Sequence, residues 1–216
     1  MRHAIVLLVL IGCIGYPTTG SAQPLTVDWG VKAGVNSADI QSSTVGGERR
    51  RAYVGGGFLE LDFVGSFALQ ADLLYSQKGD ENEVGSGTDR TLFEVKLNYI
   101  EVPVMLKLQG PLLGNAEANF YAGPSFAFKV SEATEGQAPG TLIRGTFAKR
   151  TDIGAALGIE FVVGLGGTQF LLDLRFTPGF STIRDDAVIQ TERASYEIPD
   201  PEATNSTFSV MAGISL

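Results

Sequence analysis

Apolar and polar residues alternate one for one along most of this chain. That is the two-residue period of a strand whose two faces meet different surroundings. In 27–36, Val27, Trp29, Val31, Ala33 and Val35 share one face, while Asp28, Gly30, Lys32, Gly34 and Asn36 share the other. The pattern recurs at about 53–63, 67–78, 92–108, 119–130, 152–163, 169–181 and 207–216. This predicts eight strands of about 10 residues or longer, against a usual length near 5–6. A strand that crosses a bilayer at a tilt needs about 9–11. The connections 64–66, 109–118 and 164–168 are short, and 40–52, 79–90, 131–151 and 182–206 are long and polar. With both ends of the barrel segment on one side, the short turns fall on that side and the long loops opposite, the layout of an outer-membrane barrel.

Alternation alone also fits a soluble lipocalin-like barrel with its apolar face inward. The placement of aromatics separates the two. Trp29, Phe63, Phe67, Phe120, Phe161 and Phe170 fall near the short-turn end of the apolar face. Tyr53, Tyr75, Phe128, Phe180 and Phe208 fall near the long-loop end. Two aromatic girdles around an aliphatic band are what membrane interfaces select. The other face mixes small residues with Lys32, Glu60, Asp62, Asp72, Glu101, Lys107, Lys129, Glu160, Asp173 and Arg175, and with Asp28. Turned to lipid, each Lys or Arg near the midplane would cost about 2–4 kcal/mol. Turned inward, the charges can pair across a narrow lumen, which is how buried charge is tolerated. The predicted fold is all-β, an eight-stranded antiparallel up-and-down transmembrane barrel with a structural charge network inside.

The stretch NYIEVPVMLKL, 98–108, shows both faces. Ile100, Val102, Val104, Leu106 and Leu108 are expected to face lipid, and Tyr99, Glu101, Pro103, Met105 and Lys107 the lumen. Phe93, Val95 and Leu97 fit the opposite register, which predicts a bulge between about Val95 and Ile100. Pro103 cannot donate to a ladder, so a local break in pairing is expected there.

The first residues add a compartment. Arg2 and His3 precede the apolar run Ala4 to Ile14, and Gly20-Ser21-Ala22 offers small residues for cleavage. This predicts a cleaved secretory signal over 1–22 and a barrel domain over 23–216. A rival reading takes Leu10-Ile11-Gly12-Cys13 as a lipoprotein box, with a lipid on Cys13. The single His and single Cys both lie within the signal. A mature chain without them has no disulfide, no Cys-based zinc site and no Cys or His catalysis. No catalytic residue, cofactor or metal is therefore expected. The formal net charge of −8 argues against nucleic acid as a partner.

Other features carry less. Arg49-Arg50-Arg51 can meet lipopolysaccharide phosphates or serve as a solvated loop cluster. The acidic stretches Asp80-Glu81-Asn82-Glu83 and Asp185-Asp186 lack calcium-loop spacing. Asn205-Ser206-Thr207 fits a glycosylation acceptor by chance. Gly55-Gly56-Gly57 and Gly164-Leu165-Gly166-Gly167 precede no helix, so they are bends or turns rather than phosphate loops.

The ordered series GVKAGVN, LQADLLYSQKG, LNYIEVPVMLKL, FYAGPSFAF, DIGAALGIEF and LLDLRFTPGFSTI resembles the PorT-like outer-membrane β-barrel family of Gram-negative bacteria. LLYSQKG, NYIEVPVMLK and YAGPS are its most specific pieces. The resemblance implies an eight-stranded outer-membrane barrel without transferable catalytic residues. The expected partners are outer-membrane lipid and lipopolysaccharide, the barrel-assembly machinery and a secretion or envelope protein, with the chain itself a monomer. The expected role is structural or interactive, through the long loops: adhesion, envelope integrity or docking to a secretion complex. A small-solute channel and a soluble periplasmic binding barrel are the alternatives.

Overall fold

The computed structural model describes residues 25–41, 48–63, 65–84, 91–138, 141–143, 148–182, 188–190, 195–197 and 204–216. Residues 1–22, expected as the signal, with Cys13, and Asp185-Asp186, lie outside these residues. Eight long strands make the wall: β1 (Thr26–Gln41), β2 (Glu48–Asp62), β3 (Phe67–Val84), β4 (Thr91–Leu113), β5 (Ala116–Ala138), β7 (Thr151–Leu165), β8 (Thr168–Pro178) and β11 (Thr204–Ser215). Each pairs antiparallel with its neighbours, and β1 pairs β11 to close the ring. Closure removes the unpaired edges that an open sheet would present.

The closure is tilted. Stepping across partners from Val27 leads to Leu61, Leu69, Leu106, Ala122, Leu157, Phe176 and Phe208. The next step re-enters β1 at Ser37, ten residues beyond Val27. This stagger is the shear that forces the strands of a small barrel to lean about 35–45° from its axis.

The apolar face points outward. Val27, Val31, Leu59, Leu73, Leu106 and Ile153 are exposed, while Lys32, Asp72, Lys107, Asp173 and Arg175 are buried. A soluble barrel would need the reverse, so the lipocalin-like alternative falls. Trp29, Phe63, Phe67, Phe120 and Phe170 lie exposed toward the short turns, and Phe161 is half-buried. Tyr53, Tyr75, Phe128, Phe180 and Phe208 lie exposed toward the long loops. Phe67, Leu108 and Phe120 stand side by side across β3, β4 and β5, as do Tyr75, Ile100 and Phe128.

The short turns are tighter than expected. The segment 109–118 is almost all strand, leaving only Gly114 and Asn115 in the turn. Gly114, and Gly166 with Gly167 in the β7–β8 turn, have positive φ of 63°, 60° and 92°. Two-residue hairpins require that left-handed conformation, and glycine adopts it without strain.

The long-loop side departs further from expectation. The segments 79–90 and 131–151 were expected as loops, yet β3 and β4 stay paired out to Val84 and Thr91. β4 and β5 have 23 residues each, roughly 75 Å of strand, and β6 (Thr141–Ile143) adds to the end of β5. Backbone pairing satisfies N–H and C=O groups whatever the side chains are. A ladder therefore continues past the bilayer even where apolar alternation stops. The segment 182–206 holds β9 (Val188–Gln190) paired with β10 (Ser195–Glu197), and β8 ends at Pro178 rather than at Ser181.

The irregularity near Asn98 lies on the neighbouring strand. The register shifts between Asn98 and Tyr99 because Val130 of β5 has no partner on β4. β4 keeps its phase: Leu97 and Tyr99 are both buried, so Leu97 faces the lumen and not lipid. Parity along β4 could not show this, because the extra residue sits on β5. At Pro103 the ladder to β3 passes from Ala71↔Val104 to Leu74↔Glu101, so Val102 and Pro103 have no partner there.

Candidate functional site

The lumen is the place where charged side chains converge, and it is filled in layers. At mid-height, β1 contributes Lys32, β3 Asp72, β5 Tyr121, and β8 Asp173 and Arg175. The Lys32 Nζ lies 3.0 Å from both Asp72 Oδ2 and Asp173 Oδ2. The Arg175 guanidinium lies 2.7 Å from Asp72 and 2.8 Å from Asp173. Two cations thus face two carboxylates and the layer is neutral. The Tyr121 hydroxyl donates to Asp173 and accepts from Arg175 Nε at 3.1 Å. Its ring also lies 5.4 Å from the guanidinium centre. Lys32 stands 5.1 Å from the ring centre of Phe58, a favourable place for a desolvated cation.

Gln70 couples this layer to the next. Its amide nitrogen donates to Asp72 at 2.5 Å, and its carbonyl accepts from Lys107 at 2.8 Å. Lys107 also donates to Glu60 Oε2 at 2.6 Å and to Glu160 Oε1 at 2.5 Å. It therefore ties β2, β3, β4 and β7 together through one ammonium group. Nearer the short turns, Gln109 donates to Glu60 at 3.0 Å and to Asp62 at 2.8 Å. Asp28 lines the open mouth at that end.

Toward the long loops, Lys78 lies 3.2 Å from Glu101, whose other oxygen accepts from Ser125 at 2.9 Å. Asn36 donates to Ser76 at 3.0 Å and accepts from Ser209 at 2.7 Å, joining β1, β3 and β11. Asp152 accepts from Asn205 at 2.7 Å and from Ser181 at 2.8 Å. Among the described residues, Lys129 makes no cross-lumen pair. It bonds Glu132 of its own strand and the Ala148 carbonyl, because the unpaired Val130 brings the two side chains of β5 together.

Small residues make room for this filling. A Cβ on Gly158 would collide with the Tyr121 hydroxyl, and one on Gly30 would meet the Phe58 ring at 2.5 Å. The glycines of the polar face are thus the counterpart of large side chains reaching across.

Of the charges expected in the lumen, the structure brings Lys32, Asp72, Asp173 and Arg175 into one cluster and Glu60, Lys107 and Glu160 into another. Glu101 pairs with a lysine absent from the expected set, and Asp62 is held by an amide rather than a cation. Lys78, Gln70, Tyr121, Gln109, Asn36 and Asp152 stood outside the expected charge network, although Asn36 was already expected on the face of Lys32. Each sits at the same strand parity as the expected charges of its strand, Asp152 with Glu160 included. Parity places all six on the lumen face; the neutral four were passed over because only charges were weighed, whereas Lys78 and Asp152 stand at the ends of the expected strands. Among the loop features, Arg50 donates to the Lys78 carbonyl at 2.8 Å, and Arg51 is exposed. The side chains of Arg49 and of 80–83 lie outside the described residues.

Comparisons with known proteins extend this picture. The family profile described as "Outer membrane protein beta-barrel domain" matches residues 21–185. The fold is similar to that of Ail, the attachment invasion locus protein of Yersinia pestis, at 8% identity over 88% of this chain and 98% of that one, with a TM-score of 0.45. It is similar to Neisserial surface protein A at 10% identity over 90% and 99%, with a TM-score of 0.47. The Escherichia coli outer membrane protease OmpT aligns at 8% identity over 90% and 98%, with a TM-score of 0.40. Among curated proteins none matches this chain.

Proposed function

From the premise that this chain belongs to the outer membrane protein beta-barrel domain family, we propose that it is a plugged outer-membrane barrel that works from its long-loop end. The chain is an outer-membrane β-barrel protein. Its finer role is adhesion, envelope integrity or docking to a secretion complex, without catalysis, in the envelope of a Gram-negative bacterium. The strings LLYSQKG, NYIEVPVMLK and YAGPS favour the PorT-like branch of such barrels. Cleavage after residue 22 fits the export route.

The observation that carries this reading is the closed layer of Lys32, Asp72, Tyr121, Asp173 and Arg175. A small eight-stranded barrel has an interior just wide enough for side chains, and here buried ion pairs occupy it at mid-height. Solute passage would require breaking several of them. The paired extension of β4 and β5 supports the second half of the proposal, since it builds a stiff platform on the long-loop side.

The test has two arms. Purified barrel in planar bilayers should leave the current at baseline; stepwise openings of unmodified protein would overturn the plug. Cells carrying a version trimmed within 141–147 should keep a folded, heat-modifiable barrel in the outer membrane but lose surface attachment or envelope resistance. An unchanged phenotype in both assays would overturn the loop-side role.

A further inference from the structure

The plug ends below the short turns in a cavity of about 300 Å³, near the lower bound for small-ligand sites. Its walls are of two kinds. Phe58, Val162 and Leu171 form a buried apolar cluster in the wall. Carboxylates stand elsewhere: Glu160 and Glu60 at depth, with Asp62, Asp28 and the exposed Glu117 toward the rim. Among the described residues, no lysine or arginine lines the cavity. Lys107 stands behind it, already bound to Glu60 and Glu160.

Acidity alone does not make a site, but two buried acceptors here are unused. Glu160 and Asn119 are each 2% exposed and line the cavity. The Glu160 Oε2 and the Asn119 Oδ1 accept no hydrogen bond from the described residues. Buried acceptors left unmatched cost free energy, and both call for a donor. Among the described residues, no three acidic groups converge closely enough to hold a metal ion between them. A chain of methylenes between ammonium groups fits better. One ammonium reaches Glu160 and Asn119, the methylenes lie on Phe58, Val162 and Leu171, and a second ammonium meets Asp62, Asp28 and Glu117 at the rim.

We propose that the short-turn mouth is a binding site for an aliphatic polyamine or a similar alkyl-ammonium chain.

The test is isothermal titration of the full barrel, refolded in uncharged detergent micelles, with spermidine, with the neutral chain 1,8-octanediol and with calcium. Spermidine should bind saturably at one site, and more weakly as salt rises, because exposed charge pairs are screened. The variant Asp28→Asn/Glu117→Gln removes two rim charges that make none of the plug's contacts. It should weaken spermidine by about tenfold, the sum of two partly exposed charge interactions. Glu160→Gln should weaken it further, provided the heat-shift on gels shows a folded barrel; if it does not fold, the rim variant decides alone. Absence of saturable spermidine heat overturns the site, as do equal binding of the diol, tighter binding of calcium and an unchanged rim variant.

Discussion

Replacing Lys107 by methionine removes one ammonium and leaves three groups without their donor. Lys107 is 1% exposed and donates to Glu60, Glu160 and Gln70 at 2.6, 2.5 and 2.8 Å. Methionine fills much the same volume, so packing changes little. What changes is that two carboxylates and an amide oxygen lose their donor in a site shielded from water, and Gln109 no longer shares Glu60 with a cation. Breaking a buried ion pair by deleting one partner costs about 3–5 kcal/mol, a large part of a typical stability of about 5–15. The expected loss for Lys107→Met is therefore about 3–5 kcal/mol. The triple variant Lys107→Met/Glu60→Gln/Glu160→Gln removes the orphaned charges as well. Replacing a whole buried ion cluster is often neutral or stabilising, so it should recover most of that loss. Urea unfolding of the refolded barrel, followed by the fluorescence of the single tryptophan, measures both. A Lys107→Met loss under about 1 kcal/mol would refute the network as a folding constraint. A triple variant no better than the single one would refute the charge argument and leave only lost hydrogen bonds.

Other consequences are equally concrete. Leu106→Arg puts a charge on the outer face, where Leu106 is 53% exposed, and should cost about 2–4 kcal/mol in a bilayer by the same unfolding assay. Gly158→Val drives side-chain atoms into the Tyr121 hydroxyl; the expected outcome is a barrel that refolds poorly and loses its heat-shifted band, and Gly158→Val refolding with normal yield would contradict the packing. Pro103→Ala restores an N–H where the β3 ladder is already interrupted, so stability should change by less than about 1 kcal/mol in urea melts.

Much of the wall could be read from residue order because a barrel imposes the same two-residue rule on every strand. Val27 to Val35 and Phe208 to Leu216 announce their faces at each step, and Lys32, Asp72 and Arg175 could be assigned to the lumen from parity alone. Partner choice was less legible. Whether Glu101 meets Lys107 or Lys78 depends on the register between β3 and β4 and on the stagger of ten residues around the ring, and no single strand carries either. Lys129 misled for the same reason: its pairing with Glu132 follows from Val130 being skipped by β4. The extended β4–β5 hairpin escaped notice because polarity was taken as the mark of a loop. Outside the bilayer the ladder no longer needs an apolar face, so hydrophobic alternation ends before the strand does.

The central claim is that the apolar face meets lipid while the charges are sealed inside, and Trp29 reports on it directly. It is the only tryptophan in the chain, and it stands 53% exposed on the outer face near the short-turn girdle. In vesicles containing lipids brominated near the headgroup, its fluorescence should be strongly quenched, and aqueous iodide should quench it weakly. Strong quenching by iodide with no effect of brominated lipid would place that face in water and contradict the account.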